Sequence, residues 1–280
     1  MLFRTEVHVG KADFEIQPAD QMLFVGSCFA DNLGKRFVEN HFRAVVNPFG
    51  VMYNPASILH TVAKVCGAVH TSPSENLQPR VAVFTLGTNH VYILKSTGEI
   101  VDNCQKRPQR LFEERKLSVD ECVDYLSQAV ELLMGDGVGA ERGNLKVIVT
   151  VSPIRYAKYG YHESGLSKAT LLLAADRLVK RYPQVVTYFP AYEIVNDELR
   201  DYRFYKEDML HPSDQAVEYI WEKFRATFFG TASEQFLTEW KPIKEALGHR
   251  PFNPDSEEYK AFLAKAREKE QLFNKKYFKQ

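Results

Sequence analysis

The stretch Met22-Leu-Phe-Val-Gly-Ser-Cys-Phe-Ala30 joins a short apolar run to the start of a helical pattern. Residues 22–25 are apolar and lie between polar residues and a glycine, which is typical of a short buried strand. From Phe29 onward, apolar residues recur every four or five positions with charged residues between them, as in an amphipathic helix. The stretch therefore predicts a tight strand-to-helix turn at Gly26-Ser27.

Ser27 has two interpretations in this turn. Gly26 permits a sharp bend, and the free N–H groups of a first helical turn stabilise negative charge, so the hydroxyl could act as a nucleophile. Alternatively, Ser27 only caps the helix, because serine is a favoured N-cap residue. Cys28 is a second nucleophile candidate, but one step along a helix rotates it by about 100°, and we expect it to point toward the core.

Outside this stretch, apolar runs alternate with helical patterns. We expect further strands at 43–47, 81–86, 146–151 and 185–189, with strand character again at 91–94. We expect helices from Asn54-Pro55 to about 65, from the capping box at 118–121 to Gly135, over 167–182, and from Ser213 onward. A polar connector is expected at 73–79, and 95–112 predicts no regular structure.

This alternation predicts an α/β fold, with a parallel sheet covered by helices on both faces. In such sheets, ligands bind beyond the carboxyl ends of the strands. The segments that follow different strands should therefore meet at one edge, together with the loop 197–211. These segments are 26–27, 47–50, 87–89 and 152–155.

The loop 197–211 ends in Asp208-Met-Leu-His211, which places a carboxylate three residues before an imidazole. Asp208 could accept a hydrogen bond from one ring nitrogen of His211, leaving the other nitrogen to take a proton from a serine hydroxyl. The alternative is a surface turn that only leads into the next helix. Together with Ser27 at the same sheet edge, the three residues have the composition that acyl transfer requires.

Composition limits the function classes. The chain has 280 residues, 45% of them hydrophobic, and can bury one large domain with or without an appendage. Lys+Arg and Asp+Glu balance at 36 each, so no nucleic-acid partner is expected. The four cysteines show no CxxC spacing, so we expect neither a metal nor a disulfide framework. No apolar run approaches the ~18 residues of a membrane span, and the start does not resemble a signal peptide. We expect a cytoplasmic protein without a cofactor.

Residues 231–280 differ in character and predict a helical extension after a main domain at 1–230. The last predicted helix, 256–278, is highly charged and carries an apolar stripe. We expect it to pack back on the main domain, and a lid or a dimer contact is the alternative. Glutamates interleave its lysines, which disfavours an RNA-binding stripe.

The sequence Gly26-Ser-Cys-Phe-Ala30 resembles the signature of the GSCFA family, part of the wider SGNH (GDSL-type) hydrolase group. Further stretches between about residue 3 and about residue 229 resemble the same family. They are Asn47-Pro-Phe-Gly50, Leu86-Gly-Thr88, Thr150-Val-Ser-Pro-Ile-Arg155, and Arg200-Asp-Tyr-Arg-Phe-Tyr205 running into Asp208-Met-Leu-His211-Pro.

The resemblance implies a flavodoxin-like, three-layer fold with Ser27, Asp208 and His211 at the catalytic positions. It also implies oxyanion donors from the nucleophile's own N–H, a glycine N–H and an asparagine side chain. Gly50 is the glycine candidate. Asn89 is placed like the Asn of a GxND block, although His90 replaces the Asp. Alternatives for the asparagine are Thr88 and Asn47.

Arg155 could bind a substrate carboxylate or hydroxyl at the pocket edge, or form a structural ion pair. His90 could extend a proton network or be a structural histidine. We expect a serine esterase that cleaves a small acyl group, of acetyl type, from a metabolite or a glycan. The alternatives are a hydrolase fold that binds glycan or peptide without turnover, and an interaction protein that works through the charged C-terminal helix.

Overall fold

Five parallel strands form the central sheet of the computed structural model, which describes residues 4–67, 78–102, 104, 107–135 and 144–278. These strands are β1 (Met22–Gly26), β2 (Ala44–Val46), β3 (Val81–Leu86), β7 (Lys146–Val151) and β8 (Val186–Tyr188). Their order in the sheet is β2-β1-β3-β7-β8. Each lies within one or two residues of a predicted strand. The connector expected at 73–79 falls mostly outside the described residues.

Helices cover both faces of the sheet. They are α1 (Cys28–Glu39), α2 (Pro55–Gly67), α3 (Val119–Met134), α4 (Tyr161–Arg181), the single turn α5 (Ala191–Glu193), which continues into a π-helix (Ile194–Leu199), and α6 (Asp214–Phe228). Alternate residues of β1 point to opposite faces, so Met22 and Phe24 pack with α1 and α6. Leu23 and Val25 pack with α2, α3 and α4 on the other face. The expected α/β fold, a parallel sheet between two helical layers, is confirmed.

A second, smaller sheet differs from the prediction. Strands β4 (His90–Leu94), β5 (Glu99–Val101) and β6 (Phe112–Lys116) pair antiparallel in the order β5-β4-β6. The segment 95–112, predicted to be irregular, thus contains β5 and the start of β6. Most residues of these two strands are exposed or half-buried, so the sequence carries no buried apolar run to mark them.

Helix α4 begins at Tyr161, six residues before the predicted start at 167. Its N-cap is Gly160, which has a φ of +78° and makes no side-chain capping hydrogen bond. The first turns are polar, so neither a capping residue nor an apolar stripe reveals the start of the helix.

Two C-terminal helices, α7 (Thr231–Leu247) and α8 (Glu257–Tyr277), follow the main sheet and its helices. Phe236, Trp240 and Phe273 belong to the same buried cluster as α1 and α6. The indole Nε1 of Trp240 donates to the Glu39 carbonyl at 3.1 Å, and the His41 ring stacks on the same indole at 4.0 Å. The predicted C-terminal helices are therefore present and lie against the end of α1. Within the described residues, no helix is both long enough and apolar enough to span a membrane.

Candidate active site

The turn between β1 and α1 is set by close backbone contacts. Gly26 has a φ of +145°, and a Cβ atom there would lie 2.2 Å from the Thr85 carbonyl oxygen of β3, so only glycine fits. The Gly26 N–H donates to Asn47 Oδ1 at 2.9 Å, and Asn47 Nδ2 donates to Asp31 Oδ1 at 2.6 Å. Asn47 therefore fixes the turn from the end of β2.

Ser27 follows Gly26 and is the N-cap of α1, which was one of the two roles predicted for it. Its Oγ accepts a hydrogen bond from the Phe29 N–H at 3.2 Å and lies 3.1 Å from Thr85 Oγ1. The residue is only 1% exposed. The cap fixes the hydroxyl at the N-terminus of a helix, where the backbone N–H groups create a positive potential.

Asp208 and His211 form a compact turn. Asp208 Oδ2 lies 2.6 Å from His211 Nδ1, while Oδ1 accepts from the Leu210 N–H at 2.8 Å and the His211 N–H at 3.0 Å. The two backbone hydrogen bonds, followed by the imidazole contact, lower the pKa of Asp208 to about 2. The carboxylate thus stays ionised and orients the ring, with Nε2 on the opposite side.

Ser27 and His211 line the same cavity of about 180 Å³. It lies beyond the carboxyl ends of three strands, because Ser27 follows β1, Gly87 follows β3, and the segment 154–158 follows β7. The other lining residues are Cys28, Tyr53, Gly87, Ile154, Arg155, Tyr156, Ala157, Lys158 and Leu210. Four of the five segments that the sequence placed at this edge thus contribute to the cavity. The fifth, 47–50, does not.

The candidate oxyanion donors that follow β2 have other partners. The Gly50 N–H donates to the Asn47 carbonyl at 2.8 Å, and the Asn47 side chain is used by Gly26 and Asp31. Neither residue lines the cavity. The N–H of Ser27 itself donates to the Thr85 carbonyl at 3.1 Å.

The side chains of Thr88 and Asn89 also have other partners, and neither residue lines the cavity. Asn89 Nδ2 donates to the Leu117 carbonyl at 2.7 Å, and Thr88 Oγ1 lies 3.1 Å from Ser167 Oγ. Leu117 follows β6, a strand that the sequence did not predict, so the partner of Asn89 could not be foreseen. His90 is buried, pairs with Glu114 at 2.7 Å and stacks on Tyr159, and it does not line the cavity.

Two further cavity residues, both tyrosines, were not singled out from the sequence. Tyr53 and Tyr156 line the cavity, and burial raises the pKa of Tyr53 to about 12, so its hydroxyl keeps its proton. Cys28, expected to point to the core, contacts the core but also lines the cavity, with its Sγ 3.8 Å from the Tyr53 hydroxyl. Tyr53 lies in the loop after β2, so the rule that ligands bind at strand ends could have found it.

A buried lysine supports two segments of the cavity wall. Lys168 of α4 is 3% exposed, and its Nζ donates to the carbonyls of Gly87 at 2.7 Å and Ser152 at 2.8 Å. Burial lowers the pKa of Lys168 to about 7. Lys168 therefore ties the ends of β3 and β7 together where both chains reach the cavity. A single lysine in a helical pattern gave no signal for this role.

The sequence matches known family models along most of its length. The model of the GSCFA family matches residues 21–80 and 74–224. This chain belongs to the GSCFA family. A second model, the C-terminal domain of GSCFA domain proteins, matches residues 240–279. The family resemblance of Gly26-Ser-Cys-Phe-Ala30 is therefore confirmed.

Three solved structures are similar to this GSCFA chain at low identity. A crystal structure of an acetyl esterase mutant with acetate ion shares 12% identity at a TM-score of 0.42, covering 80% of this chain and 99% of its own. A Bacteroides fragilis NCTC 9343 protein, described only as a candidate acylhydrolase, shares 14% at 0.46, covering 80% and 91%. A carbohydrate esterase family 3 structure from Talaromyces cellulolyticus shares 11% at 0.40, covering 78% and 99%. No curated protein matches the chain.

Proposed function

We propose that this protein is a serine esterase in which Ser27 is the nucleophile, His211 the general base and Asp208 the residue that orients His211. The observation that supports this most is the shared cavity, which Ser27 and His211 both line. The 2.6 Å contact between Asp208 and His211 Nδ1 supplies the orienting partner that such a base needs.

In the proposed reaction, His211 Nε2 takes the proton of Ser27 Oγ as the oxygen attacks the ester carbonyl carbon. The carbonyl electron pair moves to the oxygen, and its return expels the alcohol, which takes the proton from His211. Water then attacks the acyl-enzyme with His211 as base, releasing the acid and restoring Ser27. In each half-reaction, His211 therefore acts first as a general base and then as a general acid.

The alkoxide of each tetrahedral intermediate needs hydrogen-bond donors. We assign the N–H of Cys28, which opens α1 and so has no intrahelical acceptor, and the Tyr53 hydroxyl. Both residues line the cavity beside Ser27, whereas Gly50, Asn89, Thr88 and Asn47 do not. The Ser27 N–H can contribute if it leaves the Thr85 carbonyl.

The cavity supports a small substrate. Its volume of about 180 Å³ accommodates an acetyl-type acyl group with part of its alcohol. We therefore propose a short-chain ester, with a carbohydrate as one class of alcohol.

Labelling with a fluorophosphonate, followed by identification of the modified residue, tests the nucleophile directly. We expect the label on Ser27, and hydrolysis of 4-nitrophenyl acetate that falls at least about 10³-fold in Ser27→Ala and in His211→Ala. Ser118→Ala is the matched control, because Ser118 caps α3 as Ser27 caps α1 but lies outside the cavity. Label on another residue of an active protein would contradict the assignment.

A second candidate function is binding of a glycan or a peptide without turnover. The observation that favours it is that the N–H of Ser27, the N–H of Gly50 and the Asn89 amide all have protein acceptors. Equal hydrolysis of 4-nitrophenyl acetate by the parent and Ser27→Ala would support this alternative and contradict the esterase.

We also propose that residues 1–230 form the catalytic domain and 231–280 a helical extension. Separate family models match 21–224 and 240–279, in support of a boundary between them. None of the described residues after 230 lines the cavity, which favours a packing role for the extension over a lid.

A further inference from the structure

Arg155 is a cation in the cavity wall that forms no ion pair with any described carboxylate. Its Nη1 donates to the Met209 carbonyl at 3.2 Å. A guanidinium has five N–H donors, and among the described residues the other four have no acceptor. Since a charged group is stabilised by full hydrogen bonding, the unused donors next to Ser27 and His211 are available to a ligand.

The guanidinium is nevertheless held in one place. It lies over the Tyr161 ring at 4.3 Å and over the Tyr205 ring at 5.3 Å, measured to the ring centroids. With the hydrogen bond to Met209, these contacts fix the plane of the guanidinium before a ligand arrives. Preorganisation of this kind lowers the entropy cost of binding.

The charges of the cavity wall are unbalanced. No Asp or Glu belongs to the lining, which carries two cations, Arg155 and Lys158. Lys158 is partly compensated, because its Nζ lies 3.8 Å from Glu114 Oε2 and donates to the Tyr92 hydroxyl. Asp208, outside the lining, is used by His211. Arg155 is thus the lining cation without an acidic partner.

We propose that the ester bound in this cavity carries a carboxylate, which Arg155 binds through its free N–H groups. A planar guanidinium matches a carboxylate with two parallel hydrogen bonds, which a lysine cannot do. The carboxylate belongs either to the acyl part or to the alcohol part of the ester, and the same guanidinium chemistry recognises both. Cleavage of this ester rests on the proposed function, but its binding does not.

Binding is tested in the full-length Ser27→Ala protein, which cannot form an acyl-enzyme. Two pairs of compounds replace a carboxylate by a neutral amide of the same shape: 4-acetoxybenzoate against 4-acetoxybenzamide, and monomethyl succinate against methyl succinamate. Isothermal titration calorimetry should show the carboxylate bound at least roughly tenfold more tightly in one of the pairs. The preferred pair identifies the part of the ester that carries the charge. Equal dissociation constants in both pairs would overturn the proposal.

Substitution of Arg155 in the same Ser27→Ala background assigns the preference to this residue. Arg155→Gln should reduce the ratio of dissociation constants to near one, while Arg155→Lys should retain part of it, because charge remains but the planar fork is lost. Arg203→Gln is the matched control, since Arg203 is an exposed arginine in the loop 197–211 and does not itself line the cavity. A ratio unchanged in Arg155→Gln would overturn the proposal.

Kinetics separate this inference from the esterase proposal. Arg155 also contacts Met209 within the 208–211 turn, so its loss should slow hydrolysis of neutral esters as well. Loss of the carboxylate contact should slow hydrolysis of the anionic esters further. The readout is therefore the ratio of kcat/KM values within a pair, which a purely structural role would leave unchanged. Absence of turnover with every ester would reject the esterase alone, whereas the binding ratio in Ser27→Ala decides the carboxylate site.

Discussion

Ser27 combines a structural task with the proposed chemical one. Its Oγ caps α1 through the Phe29 N–H and contacts Thr85 Oγ1. The sequence presented capping and nucleophilic attack as alternatives, but the structure makes them compatible. The hydrogen bonds of the cap hold the oxygen beside the cavity, and so a substitution should affect stability and activity together.

We expect Ser27→Ala to lower the free energy of unfolding by about 1 kcal/mol, through loss of the cap. Ser118→Ala removes the corresponding cap of α3 and should cost a similar amount. Urea denaturation measures the loss of stability in each variant, and the 4-nitrophenyl acetate assay shows which variant also loses activity. Full activity in Ser118→Ala with none in Ser27→Ala would show that cap loss alone does not abolish catalysis.

Lys168 should make stability depend on pH. Lysine has a pKa of 10.5 as its ordinary value, and burial lowers it to about 7 here. Between these values the unfolded chain binds a proton that the folded chain lacks, so the free energy of unfolding rises with pH. Below pH 7 both states are protonated and the cost of burying the charge is fully present.

In the parent protein, we expect Lys168 to raise the free energy of unfolding by about 2 kcal/mol between pH 7 and pH 9. Lys168→Met should lack that contribution, and Lys35→Met, at an exposed lysine of α1, should retain it. Urea denaturation at several pH values provides the comparison. Parallel curves for the parent and Lys168→Met would contradict a neutralised buried amine.

At the scale of elements, local chemistry explains which parts the sequence could predict. Helix α3 was placed within one residue because Ser118 and Glu121 form a capping box and Gly135 ends the helix. Helix α4 and strands β5 and β6 lack such signals. Their boundaries depend on a glycine cap and on backbone pairing between exposed strands, which sequence patterns do not record.

The turn between β1 and α1 can be tested with a single substitution. Gly26→Ala forces a Cβ to within 2.2 Å of the Thr85 carbonyl at a φ of +145°, so strand or turn must move. We expect the free energy of unfolding to fall by roughly 2–4 kcal/mol. Gly165→Ala is the control, because that glycine of α4 has no atom within 4 Å of the added Cβ.

Gly165→Ala should instead raise the stability by roughly 0.5–1 kcal/mol, since alanine is the better helix former. Chemical denaturation of both variants gives the comparison. Equal stability of the two alanine variants would be incompatible with a turn that only glycine fits.

At the scale of the whole molecule, the helices after residue 230 belong to the core. Phe236 is fully buried, with its ring centroid 4.7 Å from that of Phe42 and 4.8 Å from that of Phe273. The extension thus covers apolar side chains that follow α1. The sequence predicted helices that pack back on the main domain, and their contacts agree with that expectation.

We expect Phe236→Ala to lower the free energy of unfolding by about 3–5 kcal/mol, through lost apolar contacts and a cavity. Phe252→Ala, at a fully exposed phenylalanine between α7 and α8, should change it by less than about 0.5 kcal/mol. Thermal and urea denaturation give both values. A small effect at Phe236 would mean that α7 and α8 are detachable from the core.

The candidate site was only partly predictable. The rule for strand ends brought Ser27, Asp208 and His211 to one edge, because it depends on topology alone. The oxyanion donors depend on the directions of individual side chains and N–H groups. Asn89 turns to the Leu117 carbonyl and Gly50 to Asn47, and neither preference is visible in a linear pattern.

Residues shortly before β1 contact residues at the end of α6. The backbone of Ile16 pairs with Phe229, and the Ala12 N–H donates to the Thr227 carbonyl at 3.0 Å. During synthesis on the ribosome, residues 12–27 are made long before residues 208–229. For most of its translation the nascent chain therefore holds Ser27 without the imidazole of His211 and without the pairing of Ile16 with Phe229, and the proposed hydrolysis requires that late segment.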